Sequence, residues 1–126
     1  MNARTIASLV AAGRIAAGIG LTFAPQVVTR PWIGEVADTT GAKVLSAGFG
    51  ARDFAIGAGT ANALRSGQNA REWLLAGVLT DTADLVATVM GRRGLPSTGV
   101  AATSAIAASG VVLGLWALRG LDQAAP

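Results

Sequence analysis

The chain's 126 residues are 52% hydrophobic and only 13% charged, about half the charged share of an ordinary soluble domain. It contains neither cysteine nor histidine, which excludes disulfides, zinc fingers, haem ligation, thiol chemistry and any His-based triad. The net charge of +3 comes from basic residues dispersed along the chain, two of them inside apolar stretches, an arrangement that argues against nucleic-acid binding.

Four apolar segments follow one another. The first covers about 5–24 and stops at Pro25, where a continued helix would lose a hydrogen bond. Arg4 ahead of it imitates a signal peptide, but Arg14 breaks the apolar run and no convincing small-x-small cleavage site follows, so the spacing predicts a retained helix. Ala7, Ala11, Arg14, Gly18 and Leu21 share one helical stripe, which sets the arginine among residues small enough to admit a neighbouring helix. The Arg30-to-Gly34 loop, with Pro25 and Pro31 bracketing Gln26 to Arg30, is expected to lie along a membrane interface as a short amphipathic turn anchored by Trp32.

The second segment, about 43–64, opens after Thr39, Thr40 and Gly41 and closes at Arg65, Ser66 and Gly67, with Gly50, Asp53 and Gly57 on one face and Arg52 beside it. The third, about 70–90, is expected to start from a capping box of Asn69 and Glu72 and to stop at Gly91. Trp73, Gly77, Asp81, Asp84 and Thr88 form its polar stripe. The fourth, about 98–118, lies in an uncharged run from Gly94 to Leu118 and carries a GxxxG pair, Gly110 and Gly114, that predicts close helix packing within the monomer or between copies.

Each segment of roughly 20 residues reaches across a ~30 Å hydrocarbon layer at about 1.5 Å per residue. A soluble bundle would place charges on an outer face about once per turn; here the fourth segment has none and the others hold theirs near mid-segment. The expected fold is therefore all-α: a single integral membrane domain, 1–126, of four transmembrane helices. Trp32, Trp73 and Trp116 lie near segment ends, as interfacial anchors do. Arg4, Arg65, Arg71 and Arg119 fall at one end of this arrangement and Arg30, Lys43, Arg92 and Arg93 at the other. Basic residues so evenly divided show no positive-inside bias, and charge does not set the orientation. An even number of spans puts both termini on one side, taken as the cytoplasmic side; nine arginines to one lysine is a bias of GC-rich coding that points to a bacterial inner membrane.

Arg14, Arg52, Asp53, Asp81 and Asp84 sit at matching depth on three helices. A lone Asp or Arg at mid-membrane costs ~2.5–3.5 kcal/mol, so five scattered charges would cost over ~12 kcal/mol. Facing one another they form a buried network, with Arg14 paired to Asp81 or Asp84 and Arg52 to the remaining carboxylates. Two arginines against three aspartates leave one carboxylate without a fixed cation, which would hold a proton, bind an external cation or amine, or meet a partner subunit. The alternative is a purely structural network. Asp81-x-x-Asp84 could also hold Mg²⁺ for group transfer, but Asp84 is followed by Leu85 instead of the Gly of the CDP-alcohol phosphotransferase signature, and the downstream acidic pair is missing. No metal or cofactor is expected.

Gly13-Arg14, Arg30-Pro31-Trp32-x-Gly34, Gly50-Ala51-Arg52-Asp53 with Gly57 and Gly59, and Trp73-x-x-x-Gly77-x-x-x-Asp81-x-x-Asp84 together resemble a family of small actinobacterial four-helix membrane proteins of unknown function. The early Gly-Arg and the Gly-rich helix after it are distantly similar to DoxX-like proteins. The resemblance implies four transmembrane helices and no particular activity. Length and helix number also resemble small multidrug resistance transporters, but those depend on a glutamate in the first helix, where this chain has Arg14. The function expected is a non-enzymatic accessory or interaction subunit of a larger membrane complex, for example in lipid import or respiration, whose partners are the lipid bilayer and a membrane protein or a second copy. The alternative is a small transporter or proton or cation relay through the intramembrane carboxylates.

Overall fold

The computed structural model describes residues 1–123. Among them the chain is all-helical: α1 (Ala3–Phe23), α2 (Pro25–Ile33), a 3-10 turn (Gly34–Asp38), α3 (Thr40–Arg65), α4 (Arg71–Gly91), a second 3-10 turn (Arg92–Gly94) and α5 (Ser97–Gln123). Five α-helices replace the expected four. Proline explains the difference: Pro25 stops α1, yet at the first position of a new helix its missing N–H costs nothing and its fixed φ is already helical. The chain bends at Ala24 (φ −133°), whose N–H still bonds Gly20, and α2 starts at once. The segment expected to be a short turn is thus a helix of 9 residues.

The other ends are fixed by local chemistry. Asn2 Oδ1 accepts from Thr5 N–H at 2.8 Å to cap α1, and Thr39 Oγ1 accepts from Ala42 N–H at 3.2 Å to cap α3. After α3, Gly67 takes φ +68° while Gly67 N–H bonds Leu64 O and Gln68 N–H bonds Ala63 O, a Schellman end. The Arg4 guanidinium also donates to Leu64 O, tying the start of α1 to the end of α3. The capping box expected before α4 does not form. Asn69 Oδ1 accepts from Arg71 N–H at 2.8 Å, and the residue at the cap position is Ala70.

The four long helices run up, down, up, down in a ring in which α1 packs most closely on α3 and α4 on α5, with α1 against α5 and α3 against α4 closing it. The α1–α3 seam is backbone on backbone. A Cβ on Gly18 would strike Gly50 O at 2.7 Å, one on Gly57 would strike Ala11 O at 2.7 Å, and Ser46 Oγ donates across the seam to Leu21 O at 2.8 Å. α2 lies against α1, α3 and α5, with Gly99 of α5 set against the Pro31 and Trp32 carbonyls. Ala3 packs against Gly120, so α1 begins and α5 ends at the same end of the bundle.

Burial is inverted relative to a soluble bundle. Among the described residues seven of the thirteen buried hydrophobic residues are alanines, whereas Leu79 (69% exposed), Ile106 (74%) and Val112 (64%) point outward with many other large apolar side chains. Among the described residues three helical segments are long and apolar enough to cross a membrane: Ala3–Phe23, Arg71–Gly94 and Ser97–Gln123. The fourth expected span, α3, has the length at 26 residues but not the apolarity, because Lys43, Arg52, Asp53, Asn62 and its glycines dilute Phe49, Phe54 and Ile56.

Candidate functional site

The five mid-segment charges converge into one chain of ion pairs. Arg14 on α1 reaches Asp53 Oδ1 on α3 with Nη1 at 3.0 Å and Asp81 Oδ2 on α4 with Nη2 at 2.5 Å, while Nη2 also donates to Gly77 O at 2.6 Å. Arg52 on α3 makes a two-pronged pair with Asp84, Nη2 to Oδ2 at 2.7 Å and Nη1 to Oδ1 at 3.3 Å, and touches Asp53 Oδ1 at 3.3 Å. The order Asp81, Arg14, Asp53, Arg52, Asp84 alternates in sign from end to end. Asp53 is the shared link.

This arrangement corrects the expectation of a single unpaired carboxylate. Each aspartate contacts an arginine, and the surplus negative charge belongs to the whole string. Two oxygens nevertheless make no hydrogen bond among the described residues, Oδ2 of Asp53 and Oδ1 of Asp81. Asp81 and Asp84, candidates for a shared metal by spacing, turn to different guanidiniums, and no three acidic groups gather into a metal cage among the described residues.

Glycines make room for the string. The Arg14 guanidinium rests on Gly77, where a Cβ would lie 3.0 Å from Nε, and Arg14 Cβ sits at a similar distance over Gly57. The GxxxG pair serves the α4–α5 contact: Asp81 Oδ2 occupies the space a Cβ on Gly110 would need, and Val78 occupies that of Gly114, 2.6 Å from the nearest methyl. Both glycines therefore work inside the monomer. On the far side, Arg52 stacks over the Phe49 ring at 5.1 Å.

The three tryptophans divide between the two ends. Trp32 closes α2 at one end, with its Nε1 buried and without a hydrogen-bond partner among the described residues. Trp73, lying over Gly59, and Trp116, half exposed, are at the other. Sequence reasoning missed two ties at that second end, Arg4 to Leu64 O and Arg71 Nη1 to Asp122 Oδ2 at 2.5 Å. Arginine near a helix start reads as a generic interfacial residue, and its partner is fixed only by the antiparallel register.

A cavity of about 460 Å³ opens sideways between α1 and α5. Its floor is Arg14, Asp53 and Asp81, and its mouth is bordered by Gly13 and Ala17 of α1 and Ala105 and Ile106 of α5. Arg14 itself is only 8% exposed, so the cavity reaches the network at its most buried member.

The chain matches no family model, no curated protein and no solved structure.

Proposed function

We propose that the chain is an integral membrane protein in which all four long helices span the bilayer, and that it serves as a non-enzymatic accessory subunit of a larger membrane assembly. The observation that carries this reading is the inversion of burial: small residues and paired charges inside, large apolar side chains outside on every long helix. α3 joins the spans because its two mid-helix charges are neutralised from within, Asp53 by Arg14 and Arg52 by Asp84. An accessory role is supported by an outer surface of large apolar side chains suited to lateral packing.

Purification from native membranes in mild detergent, followed by mass measurement of the intact particle, tests this. A defined complex with other membrane subunits in fixed stoichiometry is expected; a chain that runs only as a monomer or homodimer contradicts it. A second reading, a small transporter or cation relay, is favoured by the lateral cavity that reaches Asp53 and Asp81. Flux in reconstituted vesicles that is unchanged by both Asp53→Asn and Asp81→Asn removes it.

A further inference from the structure

We propose that the lateral cavity between α1 and α5 is a binding site for a single lipophilic organic cation bearing N–H donors, a protonated alkylamine in its simplest form. Charge selects the sign of the ligand. The string that ends in this cavity holds three carboxylates and two guanidiniums, so in a dry surrounding it lacks one positive charge.

Hydrogen bonding selects the head group. Both terminal nitrogens of Arg14 are already engaged by Asp53, Asp81 and Gly77 O, whereas one oxygen on each of the two aspartates lining the cavity makes no hydrogen bond among the described residues. The open carboxylate positions are acceptors, and an ammonium supplies donors to both.

The walls select the body. Val10, Ile106 and Leu113 are apolar, and the cavity opens at the flank of the bundle, away from its two ends. A ligand entering there comes from the hydrocarbon layer and leaves its tail in it. The volume of about 460 Å³ lies within the range of sites for small organic molecules. Gly13 keeps the mouth open: it is exposed, and a Cβ built on it meets nothing within 4 Å.

The assignment requires that the chain span the bilayer and is independent of whether it transports anything. The test uses the full chain in phosphatidylcholine nanodiscs, with equilibrium binding of radiolabelled dodecylammonium counted above empty discs. Saturable binding of one molecule per chain is expected. Dodecyltrimethylammonium, which has the charge but no N–H, should bind roughly tenfold more weakly, since two acceptors stay unmet, and uncharged dodecanol should show no saturable component. Gly13→Leu fills the mouth without touching the network and should abolish binding while the protein keeps its helix content and melting temperature. Asp81→Asn removes the surplus charge and should abolish it as well. Equal binding of dodecanol, or undiminished binding to a folded Gly13→Leu or Asp81→Asn chain, overturns the assignment. A chain that enters the discs and binds nothing overturns the site alone; one that will not enter discs overturns the membrane reading with it.

Discussion

The two arginines of the network have the same partners by type and very different surroundings. Arg14, on α1, is held by α3 and α4, with its side chain 9% exposed and the glycines at 57 and 77 shaped to it. Arg52 sits on the α3–α4 seam with its side chain 28% exposed, its partner Asp84 25% exposed and a phenylalanine ring as a lid. The difference teaches where the bundle is locked. Removing the Arg14 cation leaves Asp81 without a partner among packed helices and Asp53 with Arg52 alone, whereas loosening the Arg52 node leaves groups that can turn outward.

Four substitutions sharpen that contrast. Arg14→Leu should destabilise the protein by about 3–5 kcal/mol, the scale for leaving buried charge without its partner, read as a large drop in melting temperature in detergent. Unchanged stability would mean the node is not what holds α1, α3 and α4 together. Gly110→Ala should cost about 1–3 kcal/mol by overpacking, because the new methyl falls on Asp81 Oδ2 and pushes it from Arg14. Gly13→Ala, next to Arg14 in the chain but on the open cavity side, provides the control: it should be neutral or stabilise by about 0.5–1 kcal/mol through helix propensity, and equal losses at the two glycines would refute the packing account. Asp84→Asn is expected to cost only about 1 kcal/mol, because Arg52 keeps Asp53 as a partner. A loss there as large as that of Arg14→Leu would erase the distinction between the nodes.

The sequence is most legible where periodicity alone decides. The stripe Ala7, Ala11, Arg14, Gly18 and Leu21 is buried throughout, since a 3.6-residue repeat fixes which side chains share a face without reference to any other helix. Which aspartate meets which arginine depends on the register between helices, and that is set by contacts such as Gly18 on Gly50 and Ser46 on Leu21, which no single segment encodes. The same limit hides the shared role of Asp53: the sign count is correct, but its expression as one orphan carboxylate ignores that one carboxylate can bridge two guanidiniums. α2 is illegible for a local reason, because Pro25 signals both the stop of one helix and the start of the next. The side cavity has no signal in the sequence. It arises where Gly13 and Ala17 face Ala105 across a gap between helices, and small residues mark close packing as often as open space.

Everything turns on whether α3 crosses the membrane, since α3 is the one long helix whose composition falls short and whose charges must be neutralised from inside. The absence of native cysteine makes the measurement direct. Single cysteines placed at Glu35, before α3, and at Gln68, after it, are both at exposed positions and can be reacted with a membrane-impermeant maleimide on vesicles of one orientation. A spanning α3 predicts labelling of the two from opposite sides, with Gly94→Cys reacting on the same side as Glu35→Cys; labelling of Glu35→Cys and Gln68→Cys from the same side would contradict it.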